Sequence, residues 1–312
     1  MRAFVFPGQG AQTIGMGKDL ADAYPAAKAV FEEVDAALGE DLSGLIWGGD
    51  IDELTLTANA QPALMATSIA AMRALEAEGV SVEAASYVAG HSLGEYAALA
   101  AAGAISLADT ARLLRARGNA MQDAVPVGVG AMAAVLGLDL AAVQEVAAEV
   151  AQGEVCQAAN DNDPAQVVVS GNKAAVERAI DIAKAKGAKR ALLLPVSAPF
   201  HCSLMQPAAD TMAQALAEVQ IADPKVPVVA NVLAEAVSDG AQIRELLAQQ
   251  ITGAVRWRES VMYMAAQGGT EVYEIGAGKA LSGMVKRIDR GVTTGAVGTA
   301  ENVVAVAAAI NE

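Results

Sequence analysis

Residues 85–105, ASYVAGHSLGEYAALAAAGAI, constrain the fold more than any other stretch of this chain. ASYVAG is a short apolar run of the kind that forms a buried strand, and LGEYAALAAAGAI has the spacing of a helix. Between them lies GHSLG, so Ser92 sits where a strand hands over to a helix with a glycine two positions to either side. That is the context of a GxSxG elbow, in which small flanking residues allow a sharp turn and leave the hydroxyl exposed above a sheet. The helix that follows aims its unpaired N–H groups at the same place, where they favour developing negative charge.

The rest of the chain supplies elements to surround this turn. RAFVF followed by PGQG reads as a buried strand and a glycine-rich turn, with a helix inside 16–38 and another over 59–79 that has proline near its start and glycine at its end. From 127 the order changes: GVGAMAAVLGL predicts a strand, 139–152 a helix, VCQAAN and AQVVVSG two strands, 172–187 a helix and KRALLLPVS a strand. Strand, helix, strand, strand, helix, strand is the order of a ferredoxin-like unit. PVVAN and EVYEIGAG then return to alternating strands and helices. The expected fold class is therefore α/β: a large α/β domain with a parallel sheet and the GxSxG elbow, formed by 1–125 and 197–312, plus an inserted ferredoxin-like α+β subdomain over 126–196. Its edges lie near Val125 and Ser197.

Composition excludes several classes of function. With 54% hydrophobic residues the 312-residue chain can bury a substantial core. Its longest apolar run, AALAAAGAISLA, is too short and too small-sided for a membrane span, and MRAFVFPGQG lacks the apolar region and cleavage site of a secretory signal. A soluble cytoplasmic location is expected. The two cysteines, Cys156 and Cys202, make no metal-ligand spacing and no disulfide framework, so no metal is expected. A net charge of −15 disfavours nucleic acid and anionic membrane as partners. Positive charge is nevertheless clustered at 173–190 and 279–290, which suits solvated helix faces or an acidic or phosphorylated partner.

A serine hydroxyl needs a base, and histidine is the usual one near neutral pH. The chain has two histidines. His91 adjoins Ser92, and neighbouring side chains diverge at a sharp turn, so support of the elbow suits it better. His201 in SAPFHCSLM is then the candidate base. Cys202 beside it is a weaker rival nucleophile, better read as a small buried residue. GxSxG also suits serine hydrolases, but no HGGG oxyanion loop precedes it here.

Five stretches carry a resemblance: FPGQGAQTIGMG, GHSLGEYAAL, RARGNAMQDAVP, PVSAPFHCSLM and VYEIGAGKALSGMVKR. In this order and spacing, over essentially the whole chain, they resemble the malonyl-CoA:acyl carrier protein transacylase family. The resemblance implies Ser92 as nucleophile, His201 as general base and acid, and the backbone N–H groups of Gln9 and Leu93 as oxyanion hole. It implies Arg117 as the partner of the malonate carboxylate, a task suited to a planar guanidinium. It also implies a glutamine whose main-chain carbonyl orients the histidine; Gln250 is the match, with Gln249 the alternative, because Gly253 and Ala254 stand where family members often have asparagine and proline. Phe200 stands where related domains that prefer malonyl over branched units carry phenylalanine.

The activity so implied is transfer of a malonyl group from malonyl-CoA to the phosphopantetheine thiol of acyl carrier protein through a malonyl-serine intermediate, supplying fatty acid synthesis. No bound cofactor is implied, and Lys286 and Arg287 are the first candidates for docking the acidic carrier. The full-length match with no fused domain suggests a discrete monomeric enzyme. A serine thioesterase or esterase using the same Ser-His pair with water as acceptor is the alternative, and a scaffold without chemistry a third reading.

Overall fold

The computed structural model describes residues 1–311. It opens with β1 (Arg2–Phe6), α1 (Lys18–Ala23), α2 (Pro25–Leu38), α3 (Leu42–Gly48), α4 (Ile51–Thr55) and α5 (Thr57–Ala77). Then come β2 (Tyr87–Gly90), α6 (Leu93–Ala101) and α7 (Leu107–Asp123). The middle contributes β3 (Gly130–Leu136), α8 (Leu140–Ala151), β4 (Cys156–Asp163), β5 (Gln166–Asn172), α9 (Lys173–Ala185) and β6 (Arg190–Leu193). The chain closes with α10 (Gln206–Ala217), β7 (Val228–Val229), β8 (Ala236–Val237), α11 (Gly240–Gln250), α12 (Trp257–Ala266), β9 (Glu271–Ile275), α13 (Ala280–Ile288), β10 (Thr293–Val297) and α14 (Ala300–Asn311).

Two sheets organise these elements. The larger has the order β10-β9-β1-β2-β7-β8 and is parallel except for its last strand, β8, which pairs antiparallel with β7. After Arg2, β1 is apolar and buried, as are the last three residues of β2, because parallel strands are covered on both faces. Helix α5 is buried over most of its length and runs through the core, which is why alanine, leucine and methionine occur on more than one of its faces, with Gln61, Thr67 and Ser68 buried among them.

The second sheet is fully antiparallel, in the order β4-β5-β3-β6. Strand periodicity decides what each of its faces meets. Ala131, Ala133 and Val135 of β3, with Val167 and Val169 of β5, pack under α8 and α9 as a small core. Met132, Ala134 and Val168 point the other way, into the main core.

The structure departs from the sequence reading at several points. The segment 16–38 is two helices, because Tyr24 is extended and Pro25 restarts the chain at the first helical position. β10 was not expected: TTGAV is polar and glycine-bearing, and it forms because β9 offers an edge to pair with. No helix among the described residues is long and apolar enough to cross a membrane.

Candidate active site

The elbow exists because backbones crowd it. A Cβ built on Gly90 would lie 1.9 Å from the carbonyl carbon of Gly94, and one on Gly94 would lie 2.2 Å from the carbonyl oxygen of Phe6. Only glycine lets β1, β2 and the start of α6 approach so closely. Gly94→Ala is expected to cost about 3 kcal/mol of stability, since a backbone atom cannot move aside as a side chain can; a thermal melt unchanged from wild type would contradict this. Between the two glycines Ser92 adopts φ 55° and ψ −112°. A non-glycine residue held there stores strain that the surrounding packing must maintain.

His201, on the loop between β6 and α10, also has a positive φ of 58°. Its Nε2 lies 2.8 Å from Ser92 Oγ. Its Nδ1 lies 2.9 Å from the Gln250 carbonyl oxygen and 3.2 Å from that of Gly253. Two carbonyls can only accept, so Nδ1 carries the proton and Nε2 is left to accept from the serine. The carbonyl at His201 is thus that of Gln250 rather than Gln249, and Gly253 adds a second acceptor. Burial, with the nearby Arg117 guanidinium second, pushes the His201 pKa down to about 3, so the ring is neutral near pH 7.

That depressed pKa has a consequence for stability. Protonation favours the unfolded chain, where the imidazole titrates near 6.5, so the contribution of neutral His201 is complete above about pH 6.5 and drains as pH falls toward 3. The stability gap between wild type and His201→Gln is accordingly expected to shrink from pH 7 to pH 5 in urea unfolding. A gap independent of pH would argue against a buried neutral ring.

Arg117, on α7, is 1% exposed. Its Nη1 donates to Gln61 Oε1 at 2.8 Å, and its Nη2 donates to Gln250 Oε1 at 2.8 Å and to Ser92 Oγ at 3.1 Å. The guanidinium carbon lies 5.6 Å from the centre of the Tyr96 ring. Burial lowers its pKa, but an arginine starts so high that it stays charged. No carboxylate touches it: the salt bridges of the described residues leave it out. A buried cation held only by amides, a hydroxyl and a ring is ready to receive an anion.

The nucleophile, His201 and Arg117 line a pocket of about 380 Å³ that also takes in Gln9, Leu93 and Phe200. Among the described residues neither the Gln9 nor the Leu93 N–H has a protein acceptor, whereas the Ser92 N–H is taken by Asn231 Oδ1 at 2.8 Å. The antiparallel sheet supplies one wall through Met132, Asn160 and the segment 194–196.

Other candidates sit apart from the chemistry. His91 is turned away from Ser92: its Nε2 meets Asn162 Oδ1 at 2.8 Å and its ring lies against Trp257. Cys202 is fully buried, its thiol donates to the Pro199 carbonyl at 3.2 Å, and burial raises its pKa, all of which oppose reactivity. Lys286 is exposed at the end of α13, while Arg287 is tied by its Nε to Asp163 Oδ2 at 2.7 Å. No group of three or more His, Cys, Asp or Glu among the described residues could hold a metal ion.

Sequence reasoning missed Gln61, Glu95 and Asn231, all buried and all bonded into the site. Each is a polar residue inside an apolar stretch, and that was the available signal.

Residues 3–304 match the acyl transferase domain family model. The chain is 50% identical over 295 residues to the malonyl CoA-acyl carrier protein transacylase of Escherichia coli K12, covering 95% of each chain. A crystal structure of the acyl-carrier-protein S-malonyltransferase from Bartonella henselae superimposes with a TM-score of 0.97 at 55% identity, covering 100% of this chain and 99% of that one. A malonyl-transacylase in complex with its type II PKS acyl-carrier protein superimposes with a TM-score of 0.96 at 44% identity over 99% of each chain. The chain belongs to the malonyl CoA-acyl carrier protein transacylase family of acyl transferase domains.

Proposed function

We propose that this chain transfers a malonyl group from malonyl-CoA to the phosphopantetheine thiol of an acyl carrier protein through a malonyl-Ser92 intermediate. The observation that carries the reading is a buried, carboxylate-free Arg117 guanidinium 3.1 Å from the hydroxyl of a serine that also meets a neutral histidine. The serine and histidine suit acyl transfer in general. The arginine selects an acyl group that ends in a carboxylate.

The steps follow from the donors and acceptors. His201 Nε2 takes the Ser92 proton as Oγ attacks the thioester carbon, and the Gln9 and Leu93 N–H groups stabilise the oxyanion. The negative charge of the tetrahedral intermediate offsets the cost of the imidazolium. His201 then protonates the departing CoA sulfur. The carrier thiol repeats the sequence in reverse, giving up its proton to His201 as its sulfur attacks malonyl-Ser92. The Gln250 carbonyl keeps the imidazole in the tautomer each step needs, and no cofactor takes part.

The inserted unit over 126–196 acts here as the second wall of the cleft, completing the catalytic unit of 1–125 and 197–312. Phe200 narrows the cleft against an added methyl group. The enzyme acts as a cytoplasmic monomer, and the carrier docks on the basic end of α13, where Lys286 is free to meet an acidic helix. Lys286→Glu is expected to slow transfer to the carrier severalfold while leaving malonyl loading unchanged; equal rates in both half-reactions would remove this docking site.

Intact-protein mass spectrometry after brief mixing with malonyl-CoA tests the central reading. A malonyl adduct that disappears on adding holo carrier protein, with malonyl carrier as product, is expected. Free malonate as the main product despite ample carrier would make water the acceptor and the reading wrong.

A further inference from the structure

Glu95 is 2% exposed, third in the helix that starts at the elbow, and has no basic side chain in contact. Its Oε2 accepts from Gln250 Nε2 at 2.8 Å and from the Asn231 N–H at 3.1 Å. Both donors belong to groups that hold the reacting residues. Gln250 passes its Oε1 to Arg117 and its main-chain oxygen to His201. Asn231 passes its Oδ1 to the Ser92 N–H and its Nδ2 to the Gly90 carbonyl at 2.7 Å. An amide can be turned over by exchanging its oxygen and nitrogen, and an acceptor on one side with a donor on the other prevents this. Glu95 and Arg117 therefore hold the Gln250 side chain between them as anion, amide and cation.

The titratable groups around Glu95 are few. Arg117 faces it from α7, Tyr96 shares its helix, and His201 lies beyond Gln250; α11 and the turn after β7 offer only the uncharged amides Gln250 and Asn231. In the unloaded site Glu95 is the carboxylate that balances the Arg117 charge. An incoming malonyl carboxylate would make two anions on one guanidinium, in a place where burial already favours the neutral acid.

We propose that Glu95 is a positioning residue that fixes the Gln250 amide against Arg117 and takes up a proton when the malonyl carboxylate pairs with that arginine. The inference rests on the malonyl-transfer reading above. Burial, opposed by the bonds from Gln250 and Asn231 and by Arg117, raises the Glu95 pKa to about 7, so it titrates where such an uptake can be seen.

The chemistry makes the proton countable. Loading forms the Ser92 Oγ–carbon bond, breaks the carbon–sulfur bond and sends the serine proton through His201 to CoA, so below the thiol pKa of about 8.5 no proton is exchanged with solvent. Any uptake comes from the site. Wild-type enzyme is mixed with malonyl-CoA in weak buffer with a pH indicator, and adduct is counted in parallel by mass spectrometry. Net proton uptake of less than one per malonyl adduct is expected around pH 7, with none for acetyl-CoA and none for Glu95→Gln. Infrared difference spectra with carbon-13 malonyl-CoA give a readout that needs no variant: a protonated-carboxyl band of the protein is expected on loading.

The positioning role is read from the loading rate. Glu95→Ala is expected to slow it by roughly 10²-fold, and Glu95→Gln to recover most of that because its Oε1 still accepts from both donors. An adduct without proton uptake or a carboxyl band, or equal uptake in folded Glu95→Gln, overturns the proton coupling. Equal losses in the alanine and glutamine variants overturn the positioning role. Absence of any malonyl adduct on wild type removes the functional reading first, and the inference with it.

Discussion

Ser92→Ala is expected to reduce malonyl transfer by about 10⁶-fold, the loss seen when a serine nucleophile is removed from an enzyme that works through it. No covalent adduct should form, while malonyl-CoA should still bind, because the Arg117 contact is left in place. His201→Ala should fall nearly as far, since the two groups act on one proton and their losses do not add. Intact mass after mixing, with binding followed separately by calorimetry, checks both. An adduct on Ser92→Ala would place the nucleophile elsewhere, and Cys202, behind its bond to Pro199, would have to be re-examined.

Arg117→Met is expected to reverse the choice of acyl group. The buried guanidinium makes acetyl-CoA a poor substrate because an acetyl group offers its N–H donors no carboxylate in direct contact, and it favours malonyl-CoA because the carboxylate replaces water it has lost. Breaking such a buried pair costs about 3–5 kcal/mol, so malonyl loading should drop by about 10²–10⁴-fold. Acetyl loading should hold or rise. Methionine keeps the bulk beside Tyr96 and avoids an empty cavity. Competition between the two thioesters on one enzyme sample, with adducts separated by mass, reports the ratio directly; an unchanged ratio would show that selection lies elsewhere in the pocket.

Much of the architecture was legible because it is periodic. The apolar runs before the elbow and at RAFVF read as buried strands by their shortness and their flanking turn residues, and the strand and helix order between Gly130 and Leu193 was readable from alternation and from turn residues. β10 was not legible. Its threonines and valine favour a strand, but TTGAV is short, glycine-broken and without apolar alternation, and it is held by its pairing with β9. The break at Pro25 was visible as a residue, but not as two helices, since proline is equally at home within the first turn of one.

The site divides in the same way. Ser92 announced itself by the two glycines that a tight elbow demands, and His201 stood out because histidine is so scarce in this chain. Nothing local in the sequence could select Gln250 over Gln249, because the choice turns on which carbonyl faces an imidazole 49 residues away. A polar side chain in an apolar stretch was a signal for Gln61, Asn231 and Glu95, but their partners appear only where α5, the turn after β7 and the elbow helix converge around Gln250 and Arg117. Arg115 and Arg117 look alike in RARG, yet one is bonded to Glu40 and Asn59 and the other is buried at the nucleophile. By itself the sequence determined the strained turn and most of the strands and helices, because these depend on spacing along the chain. Only the tertiary structure decided which buried polar groups meet, because a desolvated donor must find its acceptor wherever packing brings one.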